Sequence, residues 1–177
     1  MLLLAKSVIN QPVMSLRTGG KIAVAEQPIF NPDNLKIVGF YCDDSFHKTR
    51  LVLLSQDIRD HIDKGFIIND HDVLAEPEDL VRLAKILEVD FKLVGKMVKT
   101  DHKKKLGKVI DYAVDSETLY VQKLYVGQSM LKSLSDGQLS VDRNQIIEVT
   151  DQDIIVKDPL QMTPVKSRAV ATKPLTS

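Results

Sequence analysis

The sequence contains few of the residues that build disulfides, large aromatic cores and membrane spans. Cys42 is the single cysteine among 177 residues, Trp is absent, and aromatic residues make up 5%. One cysteine excludes an intrachain disulfide framework and fits a reducing compartment. No stretch approaches the roughly 20 consecutive apolar residues that a membrane helix needs, and residues 1–5 are too short for a signal-peptide core. The sequence therefore predicts a cytoplasmic globular protein with aliphatic cores.

The charges balance over the whole chain but not within each half. Up to residue 90 there are 14 acidic and 10 basic residues, and from residue 91 onward there are 10 acidic and 14 basic residues. This asymmetry predicts either that the halves attract each other or that the second half presents a basic surface to an anionic partner. The alternative is that an imbalance of this size has no function.

The chain carries an internal repeat. The Gly-Lys-Ile-Ala sequence at residues 20–23 returns as Gly-Lys-Val-Ile at residues 107–110, each followed by an acidic turn and an apolar run. Residues 66–74 return, position for position, as residues 147–155. Short apolar runs bounded by Gly, Pro and Asp turns are typical of strands. The repeat therefore predicts two copies of one small β-rich unit.

An amphipathic helix is predicted between the copies. Leu80, Leu83, Ala84 and Leu87 have the i, i+3, i+4 and i+7 spacing of one helical face, and Pro77 suits a first helical position. The C-terminal segment 159–177 contains three prolines, three bases and no acid, which predicts a flexible tail. The predicted boundaries are 1–76 for the first unit, 77–90 for the connecting helix, 91–158 for the second unit and 159–177 for the tail.

The repeated segments resemble the PRC-barrel family. The likeness is carried by residues 20–22 with 66–74 in the first copy and by residues 107–111 with 146–156 in the second. The resemblance implies a mainly β fold of two tandem, small, curved barrels, each a non-catalytic binding or assembly module. Relatives include the photosynthetic reaction-centre H subunit, a ribosome maturation factor that docks on a small-subunit protein, and archaeal proteins linked to cell division. This chain differs in lacking the H subunit's membrane helix and in carrying a second PRC-like unit.

A lysine run is the most pronounced charged feature. It lies within the segment 96–108, which contains one acid, Asp101, and the middle three lysines are expected at or near a hairpin turn. Such a cluster is suited to salt-sensitive contacts with RNA phosphates. The alternative is a solvated turn that protects an edge strand from pairing. The candidate phosphate contacts are Lys96, Lys99, Lys103, Lys104, Lys105 and Lys108.

Apolar residues outside the predicted strands are candidates for protein docking. Ile29 and Phe30 are predicted in a Pro-flanked loop of the first unit. Met130, Leu131 and Leu134 have helical spacing in the second unit. Either group serves a partner or, as is more common for such residues, plugs the end of its own barrel.

The sequence favours a binding protein over an enzyme. Asp70-His71-Asp72 has the residue types of a metal site, but the matching turn in the second copy has Gln152 in place of the histidine, so turn chemistry explains the aspartates. No nucleophile elbow, phosphate loop or paired carboxylates are present. We expect no cofactor and no metal. The leading hypothesis is a cytoplasmic adaptor that binds protein, and the alternative is an RNA- or ribosome-associated factor that uses the lysine-rich turn.

Overall fold

The computed structural model describes residues 1–46, 49–62, 65–127 and 139–158. These residues form a mainly β fold with two sheets and one α-helix, α1 (Ala84–Val89). The first sheet contains β2 (Gln11–Ser15), β3 (Lys21–Asn31), β4 (Lys36–Asp44), β5 (Arg50–Leu54), β6 (Ile58–Ile62) and β7 (Gly65–Ile68). The second contains β8 (Met97–Thr100), β9 (Lys105–Asp115), β10 (Val121–Gly127), β11 (Leu139–Asp142), β12 (Ile146–Val149) and β13 (Asp153–Val156), together with β1 (Leu2–Leu4). The predicted mainly β fold is confirmed.

Both sheets have the same topology. The strand order is β5-β4-β3-β2-β7-β6 in the first and β11-β10-β9-β8-β13-β12 in the second. One pair of neighbours is parallel in each, β2 with β7 and β8 with β13, and the other pairs are antiparallel. The two units are therefore a repeat of topology.

Each sheet curls, because its two outer strands are joined by a short connection. The 3₁₀ turn Ser55–Asp57 links β5 to β6, and the 3₁₀ turn Arg143–Gln145 links β11 to β12. In a flat six-stranded sheet the outer strands would lie about 24 Å apart. A three-residue connection spans at most about 14 Å between the flanking residues. The sheets must therefore bend until their edges approach each other.

The predicted register of the repeat is wrong. The sequence match of residues 66–74 to residues 147–155 pairs β7 with β12. The strand order of the two sheets instead makes β7 equivalent to β13. The N–H of Leu16 donates to the carbonyl of Ile68 at the end of β7, and the N–H of Asp101 donates in the same way to Val156 at the end of β13. Ile68 and Val156 are thus equivalent, whereas the sequence match pairs Ile68 with Val149.

The Gly-Lys pairs are not equivalent either. Val13 faces Ala23 across the β2–β3 pair, and Val98 faces Gly107 across the β8–β9 pair. Gly107 therefore corresponds to Ala23 rather than to Gly20. Short Gly-Lys and Asp-x-Asp sequences occur in many turns because they satisfy local backbone geometry, so their recurrence does not fix an alignment.

The two units meet around an approximate two-fold relationship at the tips of the β3–β4 and β9–β10 hairpins. The N–H of Ile37 donates to the carbonyl of Leu119, and the N–H of Val121 donates to the carbonyl of Leu35, both at 3.0 Å. Leu35 and Leu119 both have positive φ, 51° and 57°. They occupy equivalent positions of the repeats, so each tip makes the same hydrogen bond to the other.

Ile29 and Phe30 lie in β3 and not in a loop. Both are buried, and the predicted loop is wrong because β3 continues through Pro28 to Asn31. Pro28 lies beyond the part of β3 that pairs with β2, so its missing N–H leaves no gap in that ladder. The Phe30 ring packs edge-on against Tyr112 at 5.3 Å, which joins the cores of the two halves.

The connecting segment is less helical than predicted. Pro77–Asp79 and Val81–Leu83 are 3₁₀ turns, and only α1 is α-helical. Leu80, Ile86 and Leu87 cover a small apolar cluster on the outside of the first sheet. So short a helix is unstable alone, and this packing holds it in place. No helix in the described ranges is long and apolar enough to cross a bilayer.

The N-terminal strand joins the second sheet. Leu2, Leu3 and Leu4 of β1 face Asp115, Val114 and Ala113 of β9. Residues 2–4 thus belong to the sheet formed by the second half, although the boundary predicted from the sequence places residues 1–76 in the first unit. The predicted flexible tail, residues 159–177, lies outside the described residues.

Candidate functional site

The lysine run lies on the β8–β9 hairpin. Lys103 and Lys104 occupy the turn, and Lys105 begins β9, as the sequence predicted for the middle three. Lys99 lies in β8, Lys96 precedes it, and Lys108 lies further along β9. The six lysines therefore lie in or just before one hairpin, whose strands β8 and β9 are inner strands of the second sheet.

Two of these lysines make contacts within the protein. The ammonium of Lys99 forms an ion pair with Asp153 of the neighbouring strand β13. The ammonium of Lys96 donates to the backbone carbonyl of Asp151 and lies 4.4 Å from the centroid of the Phe91 ring. These contacts stabilise the junction between β8 and β13. Lys96 and Lys99 are thus engaged in the fold.

The other four lysines have no such contacts. Lys103, Lys104, Lys105 and Lys108 are exposed, and in the described part of the chain their ammonium groups have no ion-pair or hydrogen-bond partner. The nearby carboxylate of Asp101 lies 3.8 Å from His102. The hairpin therefore presents a local excess of positive charge to solvent.

A second candidate site is an apolar groove on the first unit. It has a volume of about 550 Å³ and lies between the corner of β4 and β5 and the segment that connects the two halves. Its apolar walls come from Val38 and Leu54 on the sheet and from Leu80 and Leu83 on the connecting segment. The volume lies within the range of sites that hold small ligands or short peptide segments.

Charged and polar groups line the rim of this groove. Lys36 and Arg82 contribute two positive charges, and Asp79 contributes one negative charge. Ser55, whose hydroxyl donates to the carbonyl of Ile37, lines the same corner. The groove thus combines apolar walls with a net positive rim.

The corresponding corner of the second unit has a different character. When the matching strands of the two sheets are aligned, Gln122 takes the position of Val38 and Asp142 takes the position of Leu54. This wider cleft is lined by polar and charged side chains apart from Leu2. The Lys123 ammonium lies 3.0 Å from the Asp142 carboxylate there. The same fold thus builds this corner with either apolar or polar residues.

The Asp-His-Asp sequence of the first unit is engaged in local structure. Asp70 accepts a hydrogen bond from the Ser15 hydroxyl at 2.9 Å and forms an ion pair with Arg17 at 2.9 Å. Hydrogen bonds from the His71 N–H and the Ser15 hydroxyl hold the pKa of Asp70 below its usual value. Nε2 of His71 lies 3.1 Å from Oδ1 of the buried Asp44. No three potential metal ligands cluster among the residues that the structure describes.

Cys42 is a buried side chain of the first core. Burial raises the pKa of its thiol to about 12, and the Glu26 carboxylate adds to this shift while a hydrogen bond from the Leu53 backbone opposes it. The adjacent Asp43 is exposed, and burial is the main cause of the shift. The thiol is therefore protonated at neutral pH.

The candidate docking residues fall into two groups. Ile29 and Phe30 are 5% and 4% exposed, so neither is available to a partner in this structure. Met130, Leu131 and Leu134 fall in the interval 128–138, outside the described residues. The groove was not predicted, because Val38 and Leu54 are brought to Leu80 and Leu83 only by the tertiary fold.

Neither the family models nor the curated proteins include a match to this chain. The functional argument therefore depends on the geometry of the apolar groove and the lysine hairpin.

Proposed function

We propose that this protein is a non-catalytic, tandem PRC-barrel-like adaptor that holds a segment of a partner protein in the apolar groove. Two sheets of identical strand order, each curled by a three-residue connection, support the barrel-like description. A single, buried cysteine supports a cytoplasmic location.

The observation that carries this proposal is that the groove is apolar in only one of the two repeats. Val38 and Leu54 pack in the same apolar cluster as Leu80 of the connecting segment, whereas the second repeat forms this corner with Gln122 and Asp142. Apolar side chains that line an open groove expose surface that a bound apolar segment would remove from water. Packing of the connecting segment accounts for part of the difference between the repeats, and we attribute the apolar surface that stays exposed on the half-buried Val38 and Leu54 to ligand binding.

The charge of the rim specifies the partner's chemistry. Lys36 and Arg82 outnumber Asp79, so the groove favours a ligand with a negative group next to its apolar part. We propose a peptide segment with two apolar side chains and an adjacent carboxylate. The apolar side chains would lie between Val38 and Leu83, and the carboxylate would lie at the rim.

Selection from displayed random peptides against the full-length protein tests this function. We expect the enriched peptides to share an apolar pair next to Asp or Glu. The double variant Val38→Gln, Arg82→Glu should bind the selected peptide at least tenfold more weakly, because it places the second repeat's residue in the wall and reverses a rim charge. In an NMR titration, the methyl groups of Leu80 and Leu83 should shift.

A matched double variant controls for nonspecific effects. Ile147→Gln, Arg59→Glu makes the same chemical changes at an exposed apolar residue and an exposed arginine away from the groove. Its affinity for the selected peptide should equal that of the wild type. Equal binding by the groove variant, or enriched peptides without the apolar-acidic pattern, would disprove the proposal.

A further inference from the structure

We infer that the β8–β9 hairpin is a binding site for the phosphodiester backbone of a nucleic acid. Its ligand-binding groups are Lys103, Lys104, Lys105 and Lys108, the four lysines whose ammonium groups face solvent without a partner in the described part of the chain. This site is separate from the apolar groove, and it does not depend on the function proposed for that groove.

Comparison of the repeats shows that the fold does not require these lysines. The equivalent hairpin between β2 and β3 forms with the turn sequence Leu-Arg-Thr-Gly-Gly. Its arginine, Arg17, is paired with Asp70, and the position equivalent to Lys108 is Val24. Of the four lysine positions, only Lys105 has a lysine counterpart, Lys21. Like charges held close together oppose folding, so we attribute the cluster to a ligand.

A β-bulge places two of the lysines on one face. Lys105 faces Lys99 and Lys108 faces Met97, although the two positions in β9 are separated by an odd number of steps along the chain. In a regular strand, positions an odd number of steps apart point to opposite faces. The register shift between Val98 and Lys99 absorbs the extra residue, so both lysines share the outward face. They lie roughly 7 Å apart along the strand.

Gly107 lies in this bulge, and the equivalent bulge of the first unit forms with Ala23 at the same position. The φ of Gly107 is 146°, and a Cβ at this position would lie 1.8 Å from the carbonyl oxygen of Gly127. Only glycine therefore fits where β9 passes this close to β10. The shared orientation of Lys105 and Lys108 is thus built into the backbone of the second unit.

The residues around the lysines favour a nucleic acid backbone over bases or lipid. No Phe, Tyr or Trp lies between Lys92 and Asp111, so the hairpin has no side chain on which bases stack. The turn residues 101–104 are Asp, His, Lys and Lys, and none is an apolar residue that would enter a bilayer. Exposed ammonium groups on a narrow hairpin are suited to backbone phosphates, which carry no sequence information.

The test is a salt series with the full-length protein and fluorescently labelled nucleic acids. The probes are a single-stranded RNA, an RNA duplex and the matching DNA duplex. We expect the quadruple variant of Lys103, Lys104, Lys105 and Lys108 to Ala to bind at least tenfold more weakly than the wild type at ~100 mM salt. The slope of log affinity against log salt should become shallower by about 3 to 4.

Two further variants separate charge from structure. A control with Lys6, Lys21, Lys85 and Lys157 changed to Ala removes four exposed lysines elsewhere, and it should bind as the wild type does. Changing the four hairpin lysines to Arg keeps the charge and should preserve binding. Circular dichroism should show the same folded spectrum for each variant, since the changed side chains are exposed.

The outcomes are decisive in either direction. Weaker binding with a shallower slope, seen only in the hairpin Ala variant, supports the inference, and the ratio between RNA and DNA then identifies the source of the phosphates. Equal loss in the control variant, unchanged binding by the hairpin variant, or no wild-type binding at low salt overturns it. Vesicles of phosphatidylserine and phosphatidylcholine serve as a fourth probe. Binding to these vesicles and to none of the nucleic acids also overturns the inference.

Discussion

Lys36 and Tyr120 occupy equivalent positions in the two repeats, and they pair with each other. They form an antiparallel bridge between the hairpin tips, and the Lys36 ammonium lies 5.4 Å from the centroid of the Tyr120 ring. Arg143 lies against the same ring at 4.8 Å and donates hydrogen bonds to the carbonyls of Val121 and Asn34. The approximate two-fold symmetry therefore brings Lys36 against Tyr120, the residue at the same position of the other repeat.

Replacing Tyr120 tests the importance of this contact. We expect Tyr120→Leu to lower the free energy of unfolding by about 1–2 kcal/mol, because the ring faces two cations and leucine keeps only the apolar area. Urea unfolding followed by circular dichroism measures the change. Lys36→Met, which removes one cation, should have a smaller effect. An unchanged midpoint for Tyr120→Leu would show that the ring contacts do not stabilise the junction.

Tyr112 carries a buried hydroxyl without a hydrogen-bond partner in the described part of the chain. Burial raises the pKa of this phenol. Because an unpaired buried hydroxyl is unfavourable, Tyr112→Phe should leave stability unchanged or raise it by about 1 kcal/mol. Phe30→Ala, which removes the ring packed against Tyr112, should destabilise by about 3–5 kcal/mol. A clear loss of stability in Tyr112→Phe would mean that the hydroxyl is bonded.

Gly107 and Gly19 provide a matched pair of glycine tests. Gly107→Ala should destabilise the protein by more than about 3 kcal/mol, because the added Cβ meets the Gly127 carbonyl in addition to the backbone strain. Gly19 has φ 70° and nothing within 4 Å of an added Cβ, so Gly19→Ala should cost only about 1–2 kcal/mol. Thermal unfolding compares the two. Similar losses would show that the close approach of β9 to β10 is not rigid.

Asp115 makes stability depend on pH. Hydrogen bonds from the backbone and side chain of Thr118 lower its pKa to about 2, and the N-terminal amine contributes. A lowered pKa adds stability that is complete above the unfolded value of about 3.9 and is lost as the pH falls through the folded value. The unfolding midpoint of Asp115→Asn in urea should therefore lie below that of the wild type at pH 6, and the gap should narrow from about pH 4 downward.

The first repeat supplies the control for this prediction. Asn31 occupies the equivalent position, and its side-chain oxygen accepts a hydrogen bond from the N–H of Asp33 in the same kind of turn. Asp115→Asn should thus preserve the turn and remove only the charge-dependent part. Asn31→Asp should make the protein more stable at pH 6, and this gain in stability should be lost as the pH falls, as it is for the wild-type Asp115. If the difference in urea midpoint between Asp115→Asn and the wild type stays constant between pH 6 and pH 3, the lowered pKa of Asp115 is contradicted.

The sequence predicted many strands because their apolar runs are local signals. The short apolar runs that form β5, β7 and β12 are bounded by polar turn residues in the sequence. The sequence did not predict the repeat register, since Asp-rich turns recur for local reasons at different places in the topology. It also placed a strand break at Pro28, where β3 continues because its β2 ladder has already ended.

The two sites differ in how far the sequence revealed them. The lysine hairpin was predictable because its residues are neighbours in the chain. The shared face of Lys105 and Lys108 was not, because it depends on a bulge that only the pairing with β8 defines. The groove could not be predicted from the sequence, since the residues of its walls, such as Val38 and Leu83, lie far apart in the chain.

The pairing of β1 with β9 makes each half incomplete without the other. Cutting the chain near residue 76 and separating the pieces would leave residues 113–115 of β9 with an uncovered edge. Such an edge attracts the strands of other molecules. The two repeats therefore share one folding unit: the second half, produced alone, would self-associate, whereas a nick in the connecting segment of the intact protein would leave both halves bound together through β1.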